Sequence, residues 1–356
     1  MRFVPRKHLK SGHWMTIFCW AAPRRFQLPQ ADERLFQVTD DTQVLAHCYW
    51  QPDRHTRPTI LALHGLEGSS SAHYMRGVAD KALRAGFNAV LLNQRNCGGT
   101  EHLGPGLYHS GLFEDAAFVI RELARSDGLE QVVAAGYSLG GNLALRLAGT
   151  ESRRTLPQLK GVCAVSPVME LEMCVRALER RSNFVYQWNF VRNLKNRMRR
   201  KNGCFPGRFD LAHLQTIRSV RQFDAVYTAP FFGFQSAEDY YHRAAALRVI
   251  DKIEIPALII TAADDPFVPA ESFRHPSVTA NRHVTVVITE HGGHCGFLGY
   301  PGRANERQRV SHANGAGHGA PASERAGESE GRSPSEKDDG YWAETQIVEF
   351  ARQCVT

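Results

Sequence analysis

Residues Gly136-Tyr-Ser-Leu-Gly140 place a serine between two glycines, after the apolar run Val132 to Ala135 and before a stretch of helical composition opening at Asn142. Serine in that setting is a candidate nucleophile for acyl transfer. A G-x-S-x-G turn between strand and helix lifts the hydroxyl above the sheet, and its glycines remove side chains that the strained turn would strike. A hydroxyl attacks poorly unless a base takes its proton and a carboxylate orients that base. Candidates for both follow in the chain order that such a site uses, acid before histidine. Asp264 and Asp265 close the apolar run 257–263, and His291 and His294 follow the run 283–289, within Glu290-His-Gly-Gly-His-Cys-Gly296. Singly, Asp264-Asp265-Pro266 reads as a turn and the histidines as a surface loop. Their order at successive strand ends favours a Ser-His-Asp triad, although spacing leaves open which aspartate and which histidine serve.

Two backbone N–H groups should face the oxyanion. One is that of Leu139, directly after the serine; the other is that of Leu66, in the loop after the run 59–63. His64 in that loop reads as a hydrogen-bonded core histidine. A metal site built from His291, His294 and the two aspartates is the rival chemistry, but it lacks the helical H-E-x-x-H geometry. Neither metal nor cofactor is expected.

These residues need a scaffold that brings strand ends together. Arg34 to Val38 and Gln43 to Trp50 read as an antiparallel pair turning at Asp40-Asp41. From Thr59 onward, short apolar runs alternate with helical patterns: 59–65, 72–85, 87–92, 112–126, 132–137 and 159–165. That rhythm implies a mostly parallel sheet covered by helices on both faces. It breaks at 168–250, which is helical in flavour and holds twice as many Lys and Arg as Asp and Glu, a surplus equal to the whole chain's formal +7. An insertion at this point should lie over the site as a lid; its basic residues read as an ordinary solvated helical face, the alternative being basic and aromatic side chains near an acyl chain or an anionic head group. Residues 301–340 are poor in large apolar side chains and read as a flexible insertion. Trp342 to Val355 reads as the closing helix.

At 356 residues and 43% hydrophobic composition the chain suits one large domain with insertions. Eight cysteines with no C-x-x-C pair read as reduced thiols, which points to the cytoplasm. No apolar run reaches the ~18 residues that would cross a bilayer. Residues 14–22, behind Arg2, Arg6, Lys7 and Lys10, fit a signal peptide badly and read as a segment that packs on the domain or touches a membrane surface. Nucleic acid is not expected as a partner, because no recognised binding fold surrounds the basic run 192–201.

Several stretches together resemble the YheT-like branch of the α/β-hydrolases: His64-Gly-Leu-Glu-Gly-Ser69, Tyr108-His-Ser-Gly111, Gly136 to Asn142, Asp264-Asp-Pro-Phe267 and Glu290 to Phe297. The resemblance implies an α/β-hydrolase fold across 1–356, with an eight-stranded, mostly parallel sheet flanked by helices. It assigns the acid to Asp265, before the proline, and the base to His294, the second histidine of H-G-G-H. It implies a serine esterase (EC 3.1.1.-) acting through an acyl-enzyme on small-molecule or lipid esters. An alcohol acyltransferase using the same triad is the alternative; the H-x-x-x-x-D pattern of some acyl-transferring relatives follows none of the 16 histidines. The segment 301–340 is longer than is usual in that branch.

Overall fold

Eight strands form one sheet, in the spatial order Asp32–Thr39, Thr42–Tyr49, Asn88–Leu92, Thr59–Leu63, Val132–Tyr137, Leu159–Val165, Ala257–Ala262 and Val284–Thr289. The computed structural model describes residues 2–301 and 339–356, so the expected insertion at 301–340 lies, but for its ends, outside the described residues. β1 (Asp32–Thr39) and β2 (Thr42–Tyr49) make the expected hairpin about Asp40-Asp41, and β2 joins β4 (Asn88–Leu92) antiparallel. β3 (Thr59–Leu63), β4, β5 (Val132–Tyr137), β6 (Leu159–Val165), β7 (Ala257–Ala262) and β8 (Val284–Thr289) run parallel. Their near-continuous apolar sequences follow from burial on both faces.

Alternation decides which helices each strand meets. Leu61, Leu63, Val90 and Ala134 face one core, with α3 (Glu114–Asp127) and α4 (Leu139–Thr150). Ile60, Ala62, Leu91 and Ala135 face the other, with α2 (His73–Arg84) and the closing helix Trp342–Val355. Between β6 and β7 the chain leaves the sheet and forms α5 (Leu171–Leu178), α6 (Phe184–Cys204) and a further helix, Ala237–Ala244.

The N-terminal stretch, in which the sequence shows no clear periodicity, forms a helix, α1 (Gly12–Ala21). The cause is its composition. It is apolar nearly all round, so no stripe marks its inner face. That inner face, Gly12, Met15, Thr16 and Cys19, is buried, and Gly12 lies so close to Asp264 that any Cβ would overlap the Asp264 carbonyl.

The turn after β5 is equally crowded. A Cβ on Gly136 would sit 2.0 Å from the Gly140 carbonyl oxygen, and one on Gly140 would sit 2.2 Å from that of Leu63. These obstacles are backbone atoms and cannot swing aside. Gly140→Ala should therefore lower stability by roughly 1–3 kcal/mol or more, measured as the shift in urea midpoint against the parent protein.

Candidate active site

Ser138 occupies the turn between β5 and α4 with φ 54° and ψ −115°, a conformation that an L-residue other than glycine rarely adopts. The turn is held by the Ser138 N–H donating to Val165 O at 2.9 Å and the Asn142 N–H to Ser138 O at 3.1 Å. The side chain lines a cavity of about 90 Å³ roofed by the segment between β6 and β7. Leu66 and Leu139 line the same cavity. The Leu66 N–H has no hydrogen-bond partner among the described residues. Leu139 is the first residue of α4, where no earlier turn supplies an acceptor for its N–H. A negative oxygen beside Ser138 can meet both donors and the positive end of the helix.

Both aspartates pair with a histidine, which explains why spacing alone cannot choose. Asp265 Oδ2 lies 2.8 Å from His294 Nδ1, and Asp264 Oδ2 lies 3.3 Å from His291 Nδ1. The environments differ. The Asp265 side chain is fully buried, whereas Asp264 and His291 are each partly open to water. Asp265 Oδ1 accepts the N–H groups of Phe267 and Val268, so the carboxylate is locked from both sides. Burial pulls the His294 imidazole down in pKa, but the Asp265 carboxylate and the Cys295 side chain together more than offset it and hold the ring above its ordinary value. Among the described residues no cluster of three metal-ligating side chains occurs.

His294 is fixed by parts of the chain far from it in sequence. Its N–H donates to Thr16 Oγ1 at 2.8 Å, and the Phe267 ring lies 4.1 Å from the imidazole. Phe267 also lines the cavity that Ser138 faces, while the next N–H, of Cys295, donates to Ser166 Oγ. Leu66, Ser138, Leu139 and Phe267 thus share one cavity, and the His294 ring, paired with Asp265, lies against Phe267. No hydrogen bond joins the Ser138 hydroxyl to His294; such contacts often tighten only around substrate. His64 is a satisfied core residue: it is buried, its Nε2 accepts the Gln94 N–H at 3.1 Å, and burial lowers its pKa to about 4.

Glu67 and Arg197 were not singled out by sequence. Glu67, next to Leu66, has φ 57°. Its carboxylate is ion-paired with the Arg197 guanidinium, and both side chains are almost wholly buried. Tyr108 completes the cluster: its hydroxyl accepts the Glu67 N–H at 3.2 Å, and Arg197 lies over its ring. Tyr108 thereby props the loop that carries Leu66. Lys201 is also buried and donates to Glu101 O. Two cations of the basic run therefore point inward, away from any external polyanion. Arg197→Met alone strands a buried carboxylate and should cost roughly 3–5 kcal/mol, while Glu67→Gln/Arg197→Met should cost far less. Urea denaturation of both variants checks this.

Comparison with known proteins agrees with the fold. A family model described as the alpha/beta hydrolase fold matches residues 58–301. The chain is 33% identical to a candidate esterase, YheT of Escherichia coli (strain K12), over 83% of this chain and 87% of that protein. It is 30% identical to phospholipase ABHD3 of Bos taurus, over 80% of this chain and 73% of the relative, and 28% identical to a monoacylglycerol lipase of Saccharomyces cerevisiae, over 71% and 59%. Among solved structures, the Pyrococcus furiosus esterase Pf2001 superposes with a TM-score of 0.51 at 14% identity, covering 93% of this chain and 98% of that one. With a strained serine at the β5–α4 turn, a buried Asp–His pair beyond β7 and β8, and these relatives, the chain belongs to the α/β-hydrolase family, in the branch that contains YheT.

Proposed function

We propose that the protein is a serine hydrolase that cleaves carboxylic esters through Ser138, His294 and Asp265. The observation that supports this reading most is the strained Ser138 facing a cavity with two neighbours, Leu66 and Leu139, whose backbone N–H groups are free to donate, while a buried carboxylate grips the imidazole next to that cavity. In the proposed reaction His294 Nε2 takes the Ser138 proton as Oγ attacks the ester carbonyl. The N–H groups of Leu66 and Leu139 receive the oxyanion. His294 then gives the proton to the leaving alcohol, and a water activated by His294 releases the acyl group from Ser138. Asp265 holds the tautomer and stabilises the imidazolium throughout.

The names of the phospholipase and monoacylglycerol lipase relatives support lipid esters as the substrate class. The cavity wall agrees, since Leu171, Val175, Leu178, Phe190 and Leu194 make it largely apolar. Its volume of about 90 Å³ is smaller than the ~150 Å³ void that accepts a benzene ring. As it stands the site takes a short acyl group, and a longer chain requires α5 and α6 to part as a lid. A panel of p-nitrophenyl esters tests this: acetate and butyrate should be turned over, with rates falling steeply as the chain lengthens. Absence of turnover on every ester would overturn the proposal. Ethyl esters formed when ethanol is added would move the acyl acceptor from water to an alcohol.

A further inference from the structure

The outer face of α1 is wrong for water. Met15, Thr16 and Cys19 point inward, and the opposite side carries Trp14, Ile17 and Phe18, with Trp20 at the margin. Surface helices normally turn polar residues outward. The first turns of α6 show the same inversion. Val191, Leu194, Arg197 and Met198 are buried, while Phe184, Val185 and Trp188 are exposed. The five most exposed of these, Trp14, Trp20, Phe184, Val185 and Trp188, keep between 51% and 70% of their surface open. The two helices meet, because the His13 ring stacks on Tyr186 at 5.8 Å and Nδ1 lies 3.2 Å from its hydroxyl. That contact brings the two apolar outer sides next to each other.

The two segments carry charge of one sign. Residues 1–31 and 180–209 contain no aspartate or glutamate. Lys7, Lys10, Arg25, Arg180, Arg181 and Arg192 are exposed, and none forms an ion pair among the described residues. Arg192 lies 4.8 Å above the Trp188 ring, which places a cation at the edge of the apolar surface. Farther along the same side of α6 come Lys195 and Arg199. Tryptophans beside unpaired cations, with no carboxylate in either segment, match the head-group layer of a bilayer that carries anionic lipid. The rings sit at the acyl boundary, and the cations meet the phosphates.

We propose that this face of α1 and α6 docks the protein on an anionic lipid surface. The docking side is also the side of the site. Thr16 on α1 holds the His294 N–H, and Tyr186 and Phe190 on α6 pack against Phe267, which covers the His294 ring. Docking thus sets the contact between α1 and α6 against the lipid from which an ester would be drawn. The inference leans on the lipid-ester reading for its purpose, but its measurement does not use catalysis.

The test is flotation of the full-length protein with vesicles of phosphatidylcholine alone and of phosphatidylcholine mixed with phosphatidylglycerol. Ser138→Ala runs in parallel so that failure of the hydrolase reading leaves the result intact. The parent and Ser138→Ala should float equally with the anionic vesicles, their tryptophan emission should shift to the blue, and salt should release them. Trp14→Ser/Trp20→Ser and Arg180→Glu/Arg181→Glu/Arg192→Glu should each weaken partitioning about tenfold or more, while p-nitrophenyl acetate turnover stays at the parental level. No flotation, flotation independent of anionic lipid, or unaltered flotation of both variants overturns the proposal. So does a concentration-dependent dimer that buries the tryptophans and excludes vesicles.

Discussion

Ser138→Ala should fold as the parent does and hydrolyse p-nitrophenyl acetate more slowly by on the order of 10⁴-fold or more. The size of the effect follows from how the residue is placed. The chain keeps a non-glycine residue at φ 54°, a strain of order 1–3 kcal/mol that persists only where the surroundings over-determine it. Alanine fits the same turn without clash, because its Cβ replaces one already present. The oxyanion donors and the cavity survive the change, so binding should be retained while the covalent step is lost. A KM within a few-fold of the parent with a collapsed kcat is the expected signature. Retention of the parental kcat would remove Ser138 from the chemistry.

Asp265→Asn should have the second-largest effect, a fall in kcat of about 10⁴-fold. Oδ1 accepts two backbone N–H groups, from Phe267 and Val268, and an asparagine oxygen can keep that role. The amide nitrogen then faces His294 Nδ1, where the carboxylate Oδ2 now accepts. Donor meets donor unless the ring proton moves to Nε2, and that tautomer cannot take a proton from serine. The pH profile should move as well. Burial lowers the imidazole pKa, Asp265 and to a lesser degree Cys295 raise it, and the raising effects together are larger. The base form is therefore gained only as pH climbs through a value above the ordinary 6.5, and activity should rise along that limb. Without the carboxylate, only the Cys295 side chain opposes burial, so the residual activity of Asp265→Asn should have its limb at lower pH. A limb at unchanged pH would separate Asp265 from the titrating imidazole.

Much of the scaffold was legible because buried parallel strands leave a plain mark. The runs ending at Leu63, Leu92, Tyr137, Val165, Ala262 and Thr289 close the strands beside the site. Local chemistry was legible too, as the glycines around Ser138 show by the backbone collisions that they avoid. What sequence hid has three physical causes. A helix that is apolar nearly all round gives no periodic stripe, so α1 was not marked, nor was Thr16 as the anchor of the His294 N–H. Partners far apart along the chain carry no local signal, which is why the Glu67–Arg197 pair emerged only in three dimensions. Both residues sat in stretches already singled out, the glycine-rich loop and the basic run. The ambiguity between the two aspartates had a third cause: both do pair with a histidine, and only burial distinguishes them.

The central claim is that one serine hydroxyl is activated by one imidazole. Treating the intact protein with a fluorophosphonate and sequencing the modified peptide by mass spectrometry tests it most directly. A single adduct on Ser138, absent in Ser138→Ala and formed far more slowly in His294→Ala, is the predicted result. A label on another residue, or an unlabelled Ser138 in folded protein, would contradict it.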